Sequence, residues 1–185
     1  MVAAAGVASA APVQWDLGVG GTGKWYDRID TQGTLTYAQA KAAAETLTFN
    51  GMQGQLLVMN GSDPVGEQNW VRDNVVRTAG LPTASTIYWV GATRSDAVGE
   101  PRENWTWLDG SSVSATLTAT WTVDFFEGAG EYAAGFHNGY GFDFGDYRQD
   151  DPANRMGGYI VQYVPSPGSL ALMCVGGLVV GRRRR

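Results

Sequence analysis

Apolar and polar residues alternate over short distances along most of the chain, and only two stretches carry the three-to-four-residue spacing of an amphipathic helix. The first covers residues 37–47, with Tyr37, Ala40, Ala44 and Leu47 along one face. It is rich in strong helix formers, and Thr36 followed by Gln39 has the spacing of a capping box. Asn50-Gly51 marks its end. The second starts at Pro64 behind Ser62 or Asp63 as N-cap, places Trp70, Val71, Asn74 and Val75 on or beside its buried stripe, and breaks at Gly80-Leu81-Pro82. Between them, residues 55–59 form an apolar run of strand length. Four further strands are predicted over residues 86–92, 104–108, 132–136 and 158–163, separated by Gly, Asp and Pro. Helices early and strands late predict an α+β domain with an antiparallel sheet.

The chain of 185 residues has room for one domain. With 44% hydrophobic residues, including seven Trp, eight Tyr and six Phe, it carries ample material for a packed core. The 26 Gly add loops. Trp105-Thr-Trp107 is the kind of pattern that repeats in propeller blades, but it occurs once. The formal net charge of −5 hides an asymmetry, because four of the 13 basic residues are Arg182 to Arg185, and the other nine stand against 18 acids. So acidic a body repels phosphate backbones, which excludes nucleic acid as a partner.

Cysteine and histidine counts narrow the chemistry. Cys174 is the one cysteine, so an intramolecular disulfide and a cysteine-based metal site are both ruled out. His137 is the one histidine, which removes Cys/His nucleophiles and His-rich zinc sites; it is expected to lie exposed in a Gly-rich loop, residues 135–139. Carboxylate pairs such as Glu127 and Glu131 have the residue types of a glycosidase, but acids are frequent enough here that chance pairs arise. The chain is therefore expected not to be an enzyme. Gly18, Gly20, Gly21 and Gly23 have the look of a nucleotide loop, yet Trp25-Tyr26 follows where a helix should begin, so they read as a flexible approach to the first strand.

Both ends read as addresses. Residues 1–11 are small and apolar and contain Ala8-Ser9-Ala10, the small-x-small pattern of a signal-peptidase site, without the usual basic start; they are either a partial export signal or an Ala-rich end. From Val164 a Pro-rich break leads into an apolar run, residues 170–180, and then the four Arg. Such a run, at 1.5 Å per residue, covers about half of a bilayer core, and the basic cluster favours the cytoplasmic side. This order resembles the PEP-CTERM sorting signal, with Pro165-Ser166-Pro167 in place of Pro-Glu-Pro. The resemblance implies a chain that is exported to the cell surface or beyond in a Gram-negative-type cell, that is a substrate for a sorting enzyme of the exosortase kind, and that passes through a transient inner-membrane stage via residues 170–185. The division expected is 1–11 as a partial signal peptide, 12–164 as the folded domain and 165–185 as the sorting and anchor tail.

Within 12–164 the motifs carry a second resemblance. Trp25-Tyr26 is followed by Thr36, Ala40 and Ala44 on a helix, by Gly54, Leu56 and Met59, and by Glu67, Trp70 and Val71. Then come Tyr88-Trp89-Val90-Gly91-Ala92, Trp105-Thr-Trp107-Leu-Asp109-Gly110 and a closing Tyr159-Ile-Val-Gln-Tyr163. In this order they resemble a bacterial C-type lectin-like domain. The likeness implies two helices, small antiparallel sheets and a long loop region. Trp89, Trp105 and Trp107 are expected in the core, with Gly91 allowing close chain approach. Since the family's cysteines are missing, the first and last strands must be held by side chains such as Trp25, Tyr159 and Tyr163.

Sugar binding in that family uses calcium held by a Glu-Pro-Asn or Gln-Pro-Asp loop and a Trp-Asn-Asp strand. Here neither loop motif stands in the long loop, and Phe144-Gly145-Asp146 takes the place of the strand. Calcium prefers six to eight oxygens. Donors available are Asp124, Glu127, Glu131, Asn138, Asp143 and Asp146, with Glu127, Glu131 and Asp146 as the metal set, or else these acids simply solvate a long loop. The resemblance implies a non-catalytic module binding extracellular glycan or matrix. The alternative is a metal-independent protein-binding or structural adhesion module working through residues 125–147.

Overall fold

The computed structural model describes residues 8–9, 11–31, 35–77, 87–94, 103–121, 132–137, 143–148 and 156–164. The strands are β1 (Ala8–Ser9), β2 (Val13–Gln14), β3 (Trp25–Asp30), β4 (Thr48–Phe49), β5 (Met52–Leu56), β6 (Ile87–Arg94), β7 (Thr106–Trp107), β8 (Tyr132–His137), β9 (Asp143–Arg148) and β10 (Met156–Val164). The helices are α1 (Tyr37–Thr46), α2 (Pro64–Val71) and the short α3 (Ala115–Thr118). Helices and a largely antiparallel sheet make this an α+β domain.

Both long helices start where their caps require. Thr36 accepts from Gln39 N while the Gln39 side chain accepts from Thr36 N, a complete capping box, and Tyr37, Ala40 and Ala44 are buried. Asp63 caps α2 through Gly66 N, with Pro64 in the first turn. Past Val71 the helix widens into a π-helical turn, Arg72–Val76. That turn buries Val75 and Val76 and leaves Asn74 exposed, donating to Trp70 O, so Asn74 does not belong to the buried stripe.

Two expected boundaries move. Asn50 and Gly51 both have positive φ, 50° and 75°, and form the two-residue turn between β4 and β5, in which Phe49 faces Met52. Asn-Gly is thus a hairpin turn, with α1 already ended at Thr46. Accordingly β5 starts earlier than the apolar run, and Leu57 to Met59 continue as buried irregular chain, held by Leu57 N donating to Ile160 O and Gly91 N donating to Leu57 O.

The last strand organises the sheet. β10 lies antiparallel to β3 (Tyr163 opposite Trp25, Tyr159 opposite Ile29), antiparallel to β5 and parallel to β6. The strand that begins at Trp25 and the closing strand are thus paired where Trp25, Tyr159 and Tyr163 stand, without a disulfide. Ala8–Ser9 of the segment read as an export signal also pair with β3, opposite Asp30 and Ile29.

The sheet separates two apolar layers. One contains Tyr26, Val71, Val75, Tyr88, Val90, Trp105, Trp107 and Ile160; the other contains Ile29, Tyr37, Leu56, Ile87, Trp89, Tyr159, Val161 and Tyr163 under α1. Trp89, Trp105 and Trp107 are all buried. A Cβ on Gly91 would stand 2.9 Å from Leu57 O and 3.2 Å from Leu56 O, so glycine is what lets β6 pass that chain. The glycine stretch ahead of β3 is a compact turn: Asp16 caps a 3-10 turn, Leu17–Val19, and Gly23 N donates to Trp15 O. It has hydrogen-bonded structure of its own, which corrects its reading as a flexible approach.

Candidate ligand-binding site

β8 lies antiparallel along the length of β6, from Ile87 opposite His137 to Arg94 opposite Tyr132, and carries β9 on its other edge. The base of this hairpin is fixed. Arg94 is buried with its guanidinium 5.7 Å from the centre of the Trp105 ring, and Trp105 meets Trp121 edge-on at 5.1 Å. The segment 122–131 therefore leaves from a buried Trp121 and returns into β8 at Tyr132, the residue opposite Arg94.

Of the nominated donors, Asp124, Glu127, Glu131 and Asn138 lie outside the described residues. Asp143 and Asp146 both stand on β9, where Asp146 is opposite Ala134 and Asp143 opposite His137. Their spacing of three in a strand that alternates every two puts positions 143 and 146 on opposite faces. His137 closes β8 opposite Ile87 and Asp143, so it is a strand residue and not part of a loop.

A second polar cluster escapes the motifs. Glu67 on α2 is buried and accepts at Oε1 from Tyr26 OH at 2.7 Å and from Lys24 Nζ at 3.0 Å, while Lys24 Nζ also donates to Val58 O at 3.1 Å. Burial, then the Glu67 charge, drives the Tyr26 phenol far above its usual range. The sequence does hold a signal, since Glu67, Val71 and Val75 follow one another at four-residue spacing and so share the buried stripe. Nearby, Asn60 Nδ2 donates to Asp109 Oδ2, and Ser111 donates from both N and Oγ to Asp109 Oδ1. Partial burial pulls the Asp109 carboxyl up, but the Ser111 hydrogen bonds and the Lys24 charge outweigh it and hold the group below its ordinary value. Among the described residues no three His, Cys, Asp or Glu side chains come together as a metal-binding group.

No protein-family profile matches the chain, and no curated protein does. Among solved structures it is similar to the C-type lectin CEL-I from Cucumaria echinata, at 16% identity over 76% of this chain and 91% of that one, with a TM-score of 0.50. The EPNH mutant of CEL-I matches at 14% identity with the same coverage and TM-score. At such identities the likeness is one of fold, and it agrees with the order of helices and strands along the chain: the chain has the C-type lectin-like fold.

Proposed function

We propose that the chain is an exported, surface-targeted binding module without catalytic activity, which recognises extracellular carbohydrate through the β8–β9 hairpin and the segment 122–131. The observation that carries this reading is the fold likeness to a C-type lectin, together with a hairpin that follows a long acidic segment and is fixed to a rigid sheet beside buried Arg94, Trp105 and Trp121. Loops on a rigid scaffold are where binding residues concentrate. Asp146, with Glu127 and Glu131, would hold a calcium ion there, whose open coordination positions suit sugar hydroxyls.

A glycan array probed with the full chain, with calcium and with chelator, tests this. Retention of a defined glycan set that chelator abolishes is the expected result. Glycan retention indifferent to chelator removes calcium from the proposal, and no retention in either condition removes carbohydrate and leaves the protein-binding alternative.

A further inference from the structure

We infer that the corner formed by Trp25, Phe49 and Met52 is a membrane-contacting surface, seated on the lipid bilayer that residues 170–185 enter. The inference rests on the membrane-anchoring reading of those residues and adds the face of the domain that meets the lipid.

The chain leaves the fold at the end of β10, where Tyr163 lies opposite both Trp25 and Gly54, and Val164 opposite Gln53. Around that exit Trp25, Leu47, Phe49, Met52 and Val164 are apolar and half-buried, with the polar Thr48, Asn50 and Gln53 exposed among them. Trp25 packs on Phe49 with ring centres 5.0 Å apart, Phe49 on Tyr163 at 5.5 Å, and Met52 faces Phe49 across the β4–β5 hairpin. Trp25, Phe49, Met52, Leu47 and Val164 each keep part of their surface exposed, next to the polar turn Asn50-Gly51. Aromatic rings with a polar rim suit the headgroup level of a bilayer.

Tether length places this corner. Between Val164 and the apolar run beginning at Leu170 stand only residues 165–169, so the two ends are at most about 20–22 Å apart when the spacer is fully extended. Two of them are Pro165 and Pro167, which stiffen the spacer. Once the run is in the membrane, the exit pole stays within that distance of it, and its apolar rings meet lipid at a high effective concentration. Contact of single side chains is weak alone and sufficient when tethered.

The test uses the full chain with Cys174→Ser and one environment-sensitive fluorophore, on Met52→Cys or on Ala38→Cys. Ala38 is exposed on the first turn of α1, about 13 Å of helix from Leu47. Vesicles of phosphatidylethanolamine and phosphatidylglycerol carry a spin label on their acyl chains. A blue shift and loss of emission at position 52, absent at 38, is the expected outcome, and a Phe49→Cys label should behave as 52 does. Equal responses at 52 and 38 in protein that floats with the vesicles overturn the inference while leaving the anchoring reading intact. Failure to float overturns both.

Discussion

Glu67 and Lys24 form an ion pair at 3.0 Å whose members differ sharply in exposure: 1% of the Glu67 side chain reaches solvent against 20% of Lys24. The carboxylate therefore depends on the ammonium far more than the reverse, because removal of Lys24 strands a buried charge whose other donor is Tyr26. Lys24→Met should cost about 3–5 kcal/mol in urea unfolding, and adding Glu67→Gln should recover a good part of that loss. Simple addition of the two single losses would show that the pair is not coupled.

Trp89 is buried, meets Tyr37 edge-on at 5.7 Å and donates from Nε1 to Leu35 O at 2.8 Å, so it ties β6 to the start of α1. Trp89→Ala should cost about 3–5 kcal/mol, as should Trp107→Ala in the opposite layer. A variant that melts like the parent while losing ligand would make that ring a binding platform.

Alkaline pH should destabilise the domain. Burial, with the Asp27 and Tyr159 charges behind it, pushes the Tyr163 phenol from 10.0 up to about 12, and Tyr37 and Tyr88 are raised still further by burial. Unfolded phenols lose their protons near 10 while the folded ones keep theirs, so unfolding releases protons. The stabilisation is complete below pH 10 and lost as pH climbs toward 12. Melting temperature followed across that range should fall, and less steeply in Tyr163→Phe; identical slopes would count against a buried phenol there.

Gly158 has φ of 157°, and a Cβ on it would lie 1.8 Å from Ile29 O, inside the β3–β10 pairing. Gly158→Ala must push the two strands apart, at a cost of about 3 kcal/mol or more. Intact cooperativity and stability in that variant would contradict the pairing of Gly158 with Asp30.

The two aspartates of β9 offer a discriminating pair, since positions 143 and 146 take opposite faces of one strand. Calcium at millimolar concentration should raise the melting temperature by mass action, and Asp146→Asn should abolish the rise while Asp143→Asn keeps it. Calorimetry without any calcium response in the parent chain ends the metal proposal.

Much of this fold is legible in the residues. Thr36 with Gln39, Asp63 with Pro64, and the buried Trp89 and Trp107 act locally, through capping and large apolar area, and the structure repeats them. Asn50-Gly51 misleads because helix stops and hairpin turns draw on the same residues. Glu67 is easily passed over because a charge in a buried stripe becomes stable only through Lys24 and Tyr26, which lie 43 and 41 residues away in the sequence. The site is the least legible part, since its nominated donors are spread over residues 124–146 and no local motif there records which of them long-range folding brings together.

The sheet keeps two apolar layers apart, and among the described residues Leu108 packs against both. Damage should consequently be confined by layer. A loss at Trp89 and a loss at Val71 should add, because the two residues belong to separate clusters, whereas either combined with Leu108→Ala should depart from additivity. Substitutions could then accumulate under α1 without compensation beneath α2, so that two halves of one core drift independently across the strands they share.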